Sequence, residues 1–221
     1  MIGSRTEAFF LAAPMGERFC MHHVPVAGEV QQALVYVHPF AEEMNKSRRM
    51  AARQARALAA RGTAVLQLDL LGCGDSSGDF GDATWRAWID DVLLAHDWLR
   101  QRHNVPVGFW GLRAGCLLAA EAACKLDEPS DFLFWQPVTS GKAHLAQFLR
   151  LLSAAAWTGA ADVLSVKDAR AQLDAGKPID IAGYRLAADL AFGLERSMLQ
   201  PPPAALRGLW IDVGAESHLA T

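Results

Sequence analysis

Cysteine is scarce and scattered in this 221-residue chain: Cys20, Cys73, Cys116 and Cys124 lie far apart. No pair has the spacing of a redox motif or of a metal knuckle, which points to four reduced thiols and no metal. Lysine is scarce too. Arginines outnumber lysines sixteen to five, and the formal net charge is −3. Without a basic excess there is no electrostatic footprint for nucleic acid. No apolar run approaches the length of a membrane span. The six-residue run Ala8 to Ala13 is too short for a signal peptide. A cytoplasmic protein with no membrane span and no cofactor is the expectation. Internal repeats and disordered tracts are also lacking. What is abundant is apolar side chain, 52% of the residues. That suffices for a full core in one domain, residues 1–221.

Residues 6–24 read as an antiparallel hairpin turning near Pro14-Met15-Gly16. From about residue 33 to 137, apolar strands alternate with helical patterns, which predicts a mostly parallel sheet with right-handed crossovers. The clearest periodic stretch is 84–102. Trp85, Trp88, Ile89, Val92, Leu93 and Leu99 form a stripe, with Asp90, Asp91, Asp97 and Arg100 mostly off it. His96 falls on the stripe and reads as a packed core histidine. Residues 140–182 break the alternation with an apolar helix, Ala143 to Trp157, and a charged helix-like piece to about Gly176. They read as a cap insert. A helix over 184–199, a stiff Pro201-Pro202-Pro203 spacer and a last strand, Gly208 to Val213, follow.

The segment from Val107 to Gly115 carries the most information. An apolar strand runs into Gly111-Leu112-Arg113-Ala114-Gly115 and then into an Ala/Leu-rich helix. This layout resembles the nucleophile elbow of the α/β-hydrolases, Gly-x-Ser-x-Gly, with arginine in place of serine. A guanidinium is always protonated near neutral pH and has no lone pair with which to attack a carbonyl. Two further turns support the likeness. Ala33 to Val37 ends in His38-Pro39-Phe40, where these proteins place an oxyanion-hole N–H. Pro39 has no N–H, so Phe40 would be the donor. Asp69-Leu70-Leu71-Gly72-Cys73-Gly74-Asp75-Ser76-Ser77-Gly78 matches the Asp-x-x-Gly-x-Gly-x-Ser-x-Gly turn of the superfamily.

The details resemble a narrower family, the type 2 hydrolases associated with the exosortase A system. The likeness rests on Pro39 to Met50, Asp69 to Ser76, Gly78 to Ala83 and Trp110 to Arg113. Gln136-Pro137-Val138, Ser140-Gly141-Lys142 and Gln147 to Arg150 extend it to roughly residues 5–215. The resemblance implies an α/β-hydrolase fold in a bacterium that makes exopolysaccharide, with that pathway's proteins as partners. It implies no particular substrate. A complete fold of this kind adds a further strand and helix, with the triad histidine after that strand. Only Ala215 to Thr221 remain here, so those elements are expected to be missing, leaving an uncovered sheet edge.

Candidate site residues follow from these motifs. His38 sits in the crevice at a strand's carboxyl end, where α/β sheets bind ligands. Cys116 lies three residues past the apex, and reads better as a small buried hydrophobe than as a nucleophile. Glu216 falls near the triad-acid position. Leu112, Arg113 and Ala114 form the elbow, and a helix N-terminus beside a guanidinium suits an anion. The polar run Glu42, Glu43, Asn45, Ser47, Arg48 is expected to face the elbow, with Ser47 as a helix N-cap. Glu42 or Glu43 could pair with Arg113. Ser76 and Ser77 read as backbone caps in a tight turn. Three roles stay open for Arg113: an architectural ion pair, an anchor for an anionic ligand, or an oxyanion stabiliser for activated water. The functional expectation is a degenerate or ligand-binding hydrolase homologue, taking a small acyl, ester or anionic ligand. The alternative is an active hydrolase of unconventional mechanism acting on an ester, thioester or acylated saccharide.

Overall fold

The computed structural model describes residues 3–157, 164–200 and 205–212. The first two strands, β1 (Ser4–Ala13) and β2 (Gly16–Pro25), form the antiparallel hairpin, in register from Ser4↔Pro25 to Ala13↔Gly16. Then come β3 (Gln32–Val37), α1 (Glu42–Ala59), β4 (Thr63–Leu68), α2 (Trp85–His103), β5 (Val107–Leu112), α3 (Gly115–Ala123) and β6 (Ser130–Trp135). The chain continues through α4 (Gly141–Trp157), α5 (Val166–Asp174), a small hairpin β7 (Ile179–Ile181) and β8 (Tyr184–Leu186), α6 (Ala188–Arg196) and β9 (Ala205–Ile211). The main sheet has the order β1-β2-β4-β3-β5-β6-β9. β2 meets β4 antiparallel, and every pair from β4 through β3, β5 and β6 to β9 is parallel. The expected mostly parallel sheet with an N-terminal antiparallel hairpin is therefore present.

β3 and β5 are central strands, covered on both faces, and so read as unbroken apolar runs. Under α1, Leu34, Tyr36, Val65, Trp110 and Leu112 pack on Ala51 and Ala55. The opposite face packs on α2 and α3 in a larger core that includes Val35, Phe109, Trp88, Leu99 and Leu117. β9 is different. Leu206, Leu209 and Trp210 on it are exposed. The expectation of missing elements beyond it concerns residues 213–221, which lie outside the described residues.

Helix α2 shows how local chemistry sets an element. Thr84 caps it, its hydroxyl accepting from the Ala87 N–H at 3.0 Å. Asn104 ends it in the left-handed conformation, φ 49°. His96 is buried and stacks on Phe109 with ring centroids 5.6 Å apart, as expected of a core histidine. Asp91 departs from the expectation of an outward charge. It is buried, its Oδ1 2.7 Å from Arg18 Nε and its Oδ2 accepting from the Leu71 N–H at 2.8 Å. This pair ties the hairpin to α2 and to the turn after β4.

The helix expected over 184–199 is shorter. Ala182 (φ 50°) and Gly183 (φ 84°) form a two-residue hairpin turn, so 184–186 is strand. Among the described residues, no helix is long and apolar enough to cross a membrane.

Candidate functional site

The elbow has the strain that its motif demands. Arg113 sits at φ 54°, a left-handed conformation that a non-glycine residue adopts only under constraint. Both flanking glycines are needed because backbones pass too close for a Cβ. One added at Gly111 would meet Cys116 Cα at 2.6 Å, and one at Gly115 would strike the carbonyl oxygens of Val37 and His38. The apex is held from both sides. Its N–H donates to Trp135 O at 3.1 Å, and its carbonyl accepts from the N–H groups of Cys116 (3.1 Å) and Val138 (3.2 Å). Two more non-glycine residues with positive φ stand at neighbouring strand ends, Ala41 (φ 48°) after β3 and Gln136 (φ 46°) after β6. Strain of this kind gathers where a site is built.

The Arg113 side chain closes on the first turn of α1. Its Nε and Nη2 donate to Glu43 Oε1 at 3.3 and 3.2 Å, and both side chains are 26% exposed. Glu42 and Glu43 are well placed at a helix N-terminus, whose dipole favours carboxylates. Beside them Phe40 is buried, its ring meeting those of Phe80, Trp88, His144 and Phe148 edge-on at 5.1 to 6.0 Å. A cavity of about 70 Å³ lies here, lined by Phe40, Glu42, Glu43, His144, Gln147 and Phe148 among others. Glu42 Oε2, Glu43 Oε2 and His144 Nδ1 are buried and make no hydrogen bond among the described residues. Burial, with the Arg113 charge adding to it, pulls the His144 imidazole down to about 4, so it is neutral at physiological pH.

Of the three sequence-derived candidates for catalysis, two lie among the described residues, and both are placed for structural roles. His38 has both ring nitrogens engaged. The Leu70 N–H points at Nε2 (3.3 Å), which must therefore accept, and Nδ1–H then donates to Pro39 O (2.8 Å). Burial lowers its basicity further, so it fixes the loop rather than moving protons. Cys116 is fully buried, and desolvation pushes its thiol up to about 12, which opposes the thiolate that a nucleophile needs. Glu216 lies outside the described residues. Leu112 packs beneath α1 and offers nothing to a ligand. Ala114 is buried at the start of α3.

The polar run after β3 is not one surface. Only its first two carboxylates turn to the elbow. Arg48 Nη2 instead donates to Asp69 Oδ1 and Oδ2 at 3.1 and 3.0 Å, and with Asn45 it borders a separate cleft over Gly72 to Asp75 and Tyr184. Ser47 is no N-cap. It lies inside α1, its hydroxyl donating back to Glu43 O and Met44 O. The turn serines are backbone caps: Ser76 Oγ accepts from the Phe19 N–H, and Ser77 Oγ from the Glu17 N–H, each at 2.9 Å. Of the three roles open to Arg113, the architectural ion pair is the one its contact with Glu43 matches, and the carboxylates at the mouth oppose an anionic ligand. His144 is the residue that sequence reading missed. Its one signal is position, since His144, Phe148 and Leu151 share a face of an apolar helix.

No family model and no curated protein matches the chain. Solved structures do. An α/β serine hydrolase without a lid from Xanthomonas campestris superposes with a TM-score of 0.53 at 21% identity, over 60% of this chain and 62% of that one. The ferulic acid complex of Est1E from Butyrivibrio proteoclasticus superposes with a TM-score of 0.62 at 18% identity, over 85% of this chain and 70% of that one. The chain thus spans just under two thirds of the first. Together with the strand order and the elbow, these likenesses establish an α/β-hydrolase fold.

Proposed function

We propose that this chain is a ligand-binding homologue of the α/β-hydrolases, in which an ion pair occupies the place of the nucleophile. One observation carries the reading: the apex residue keeps the strained elbow conformation, φ 54°, yet its side chain is a guanidinium closed on Glu43. The scaffold that aims a side chain into the crevice is kept, and the attacking oxygen is gone. Helices α4 and α5 with the β7–β8 hairpin act as its cap, a role supported by the packing of His144 and Phe148 on Phe40. The motif resemblance to type 2 hydrolases of the exosortase A system supports a place among exopolysaccharide and exosortase proteins in the cytoplasm.

A second reading has one observation in its favour. His144 is a neutral imidazole beside Arg113 with a free Nδ1, and it could draw a proton from water attacking an ester, thioester or acylated saccharide. A fluorophosphonate probe and p-nitrophenyl acetate separate the readings. The binding role predicts no labelled serine and no turnover. Labelling at a serine overturns it. Turnover without labelling, lost on His144→Phe, establishes the water mechanism instead.

A further inference from the structure

The cavity between Phe40, the first turn of α1 and α4 is lined by polar atoms that the described residues leave unsatisfied. Glu42 Oε2, Glu43 Oε2 and His144 Nδ1 are all buried without a partner. His144 is only 6% exposed and belongs to a different element from the two carboxylates. Buried polar groups are almost always hydrogen-bonded, and three orphans around one cavity ask for a common partner. A carboxylate oxygen only accepts, and a neutral imidazole presents a lone pair on one of its two nitrogens. A ligand that meets the two carboxylate oxygens must therefore donate, and His144 Nδ1 accepts as well in the tautomer that carries its proton on Nε2.

From this donor–acceptor imbalance we infer that the cavity binds the primary ammonium group of a small amine. An ammonium carries three N–H donors and no acceptor, which matches a cavity lined by unmet acceptors. Its charge suits the local field. Arg113 offsets one of the two carboxylates, and Lys46 approaches Glu42 only at Oε1, at 4.0 Å and from solvent. Phe40 and Phe148 line the same cavity, and aromatic walls suit a cation. A hydroxyl donates a single bond and leaves two orphans. A metal ion fits poorly, since no group of three ligating side chains among the described residues has metal-holding geometry. At about 70 Å³ the cavity takes a head group and leaves the stem outside. The inference rests on reading the elbow crevice as a binding site, and it names the chemistry of the occupant.

The test is calorimetric titration of the full chain with n-butylammonium chloride, with n-butanol and sodium butyrate as matched controls at constant ionic strength. Saturable binding of butylammonium, at least tenfold tighter than either control, is expected. Glu42→Gln should weaken it about tenfold with the circular dichroism spectrum unchanged. His144→Phe, which also fills the cavity, should abolish it. Butanol binding as well as the amine would overturn the inference by showing an apolar pocket, and preferential butyrate binding would do so by showing an anion site. Amine binding unaltered by both variants would place it elsewhere and equally sink the inference. Failure here with silent esterase and fluorophosphonate assays removes the ammonium and leaves the binding role. A labelled serine removes the binding role itself.

Discussion

Replacing Arg113 by serine rebuilds a Gly-x-Ser-x-Gly elbow and asks whether the scaffold alone makes an esterase. The stability cost follows from what the guanidinium touches. Two contacts to Glu43 Oε1, at 3.3 and 3.2 Å, are lost. A hydrogen bond to a charged group contributes about 1.5–3 kcal/mol. Each side chain here keeps about a quarter of its surface, 26%, so solvent screens the pair and pulls the figure towards ~1 kcal/mol. The cost of about 3–5 kcal/mol for breaking a fully buried pair does not apply. The strain at φ 54° is unchanged, because serine bears it as arginine does. A loss of about 1–2 kcal/mol lowers the melting temperature of a domain this size by about 5 °C. Catalysis needs a base aligned on the new hydroxyl. His38 is bonded at both nitrogens, and His96 is stacked against Phe109 behind the sheet. His144 lines the cavity beside Glu42 and Glu43, and burial with the Arg113 charge lowers it to about 4, which makes it a weak base at neutral pH. The variant should therefore hydrolyse p-nitrophenyl acetate no better than about 10³-fold over water, the residue left to a hole and binding without a triad. Calorimetry and a multiple-turnover ester assay check both parts. A variant that turns over efficiently and melts with the parent would refute the argument on both counts.

Other outcomes follow from groups away from the elbow. Arg18→Met strands buried Asp91 and should cost about 3–5 kcal/mol in urea unfolding. Adding Asp91→Asn should recover more than half, since the amide oxygen still accepts from the Leu71 N–H. Gly115→Ala drives a Cβ into the carbonyls of Val37 and His38 and should cost about 3 kcal/mol or prevent soluble expression, whereas an equal effect from an exposed Gly208→Ala control, where a Cβ meets nothing, would undercut the packing argument. Stability should also fall on mild acidification. Six histidines, His22, His23, His38, His96, His103 and His144, have basicity lowered by burial. The unfolded chain then binds more protons below about pH 6.5, so their contribution is complete above that pH and is lost as pH falls towards about 4 for His144 and about 3 for His22. Burial raises Asp91, which works in the opposite direction, but it is one group against six. Urea midpoints at pH 7.5, 6.0 and 5.0 should decline in that order, and a flat series would contradict the burial of these imidazoles.

The parts of this fold that can be read from sequence are those whose physics is local or strongly periodic. β3 and β5 stand out because strands buried on both faces are continuous apolar runs, and α2 because its stripe repeats over nineteen residues. The elbow is legible because a sharp strand-to-helix turn with close backbones admits little but glycine at Gly111 and Gly115. β7 and β8 are three residues each, too short for any period to register, and only the turn at Gly183 hints at them. Asp91 looks like a surface charge until Arg18, 73 positions away, is brought beside it. The polar run after β3 looks like one surface because sequence lays it out in a line. In a helix each residue turns about 100°, so Glu43 reaches Arg113 while Arg48 reaches Asp69. The start of α1 at Glu42 rather than Ser47 has the same origin. Ala41 takes φ 48° and ψ −124°, a backbone state that only the surrounding strands impose.

The crevice itself could not be read at all from local pattern. It is made where α1, the β5–α3 turn and α4 converge, and each contributes a residue that is ordinary in its own segment. Glu42 and Glu43 are helix-start carboxylates. Arg113 is a lone departure from a motif. His144 is a histidine on an apolar helix face, which by itself means only that the helix is buried. What marks them as a candidate site is that Glu43 Oε1 is satisfied by Arg113 while Glu42 Oε2, Glu43 Oε2 and His144 Nδ1 find no partner among the described residues. Satisfaction is a property of three-dimensional neighbours, and a chain pays for unsatisfied buried groups at about 1–3 kcal/mol each. Such a cost persists in a folded protein when something outside the chain offsets it. On the binding reading proposed above, these unmet polar atoms, more than the missing serine, would distinguish this crevice from a hydrolase site that has merely lost its nucleophile.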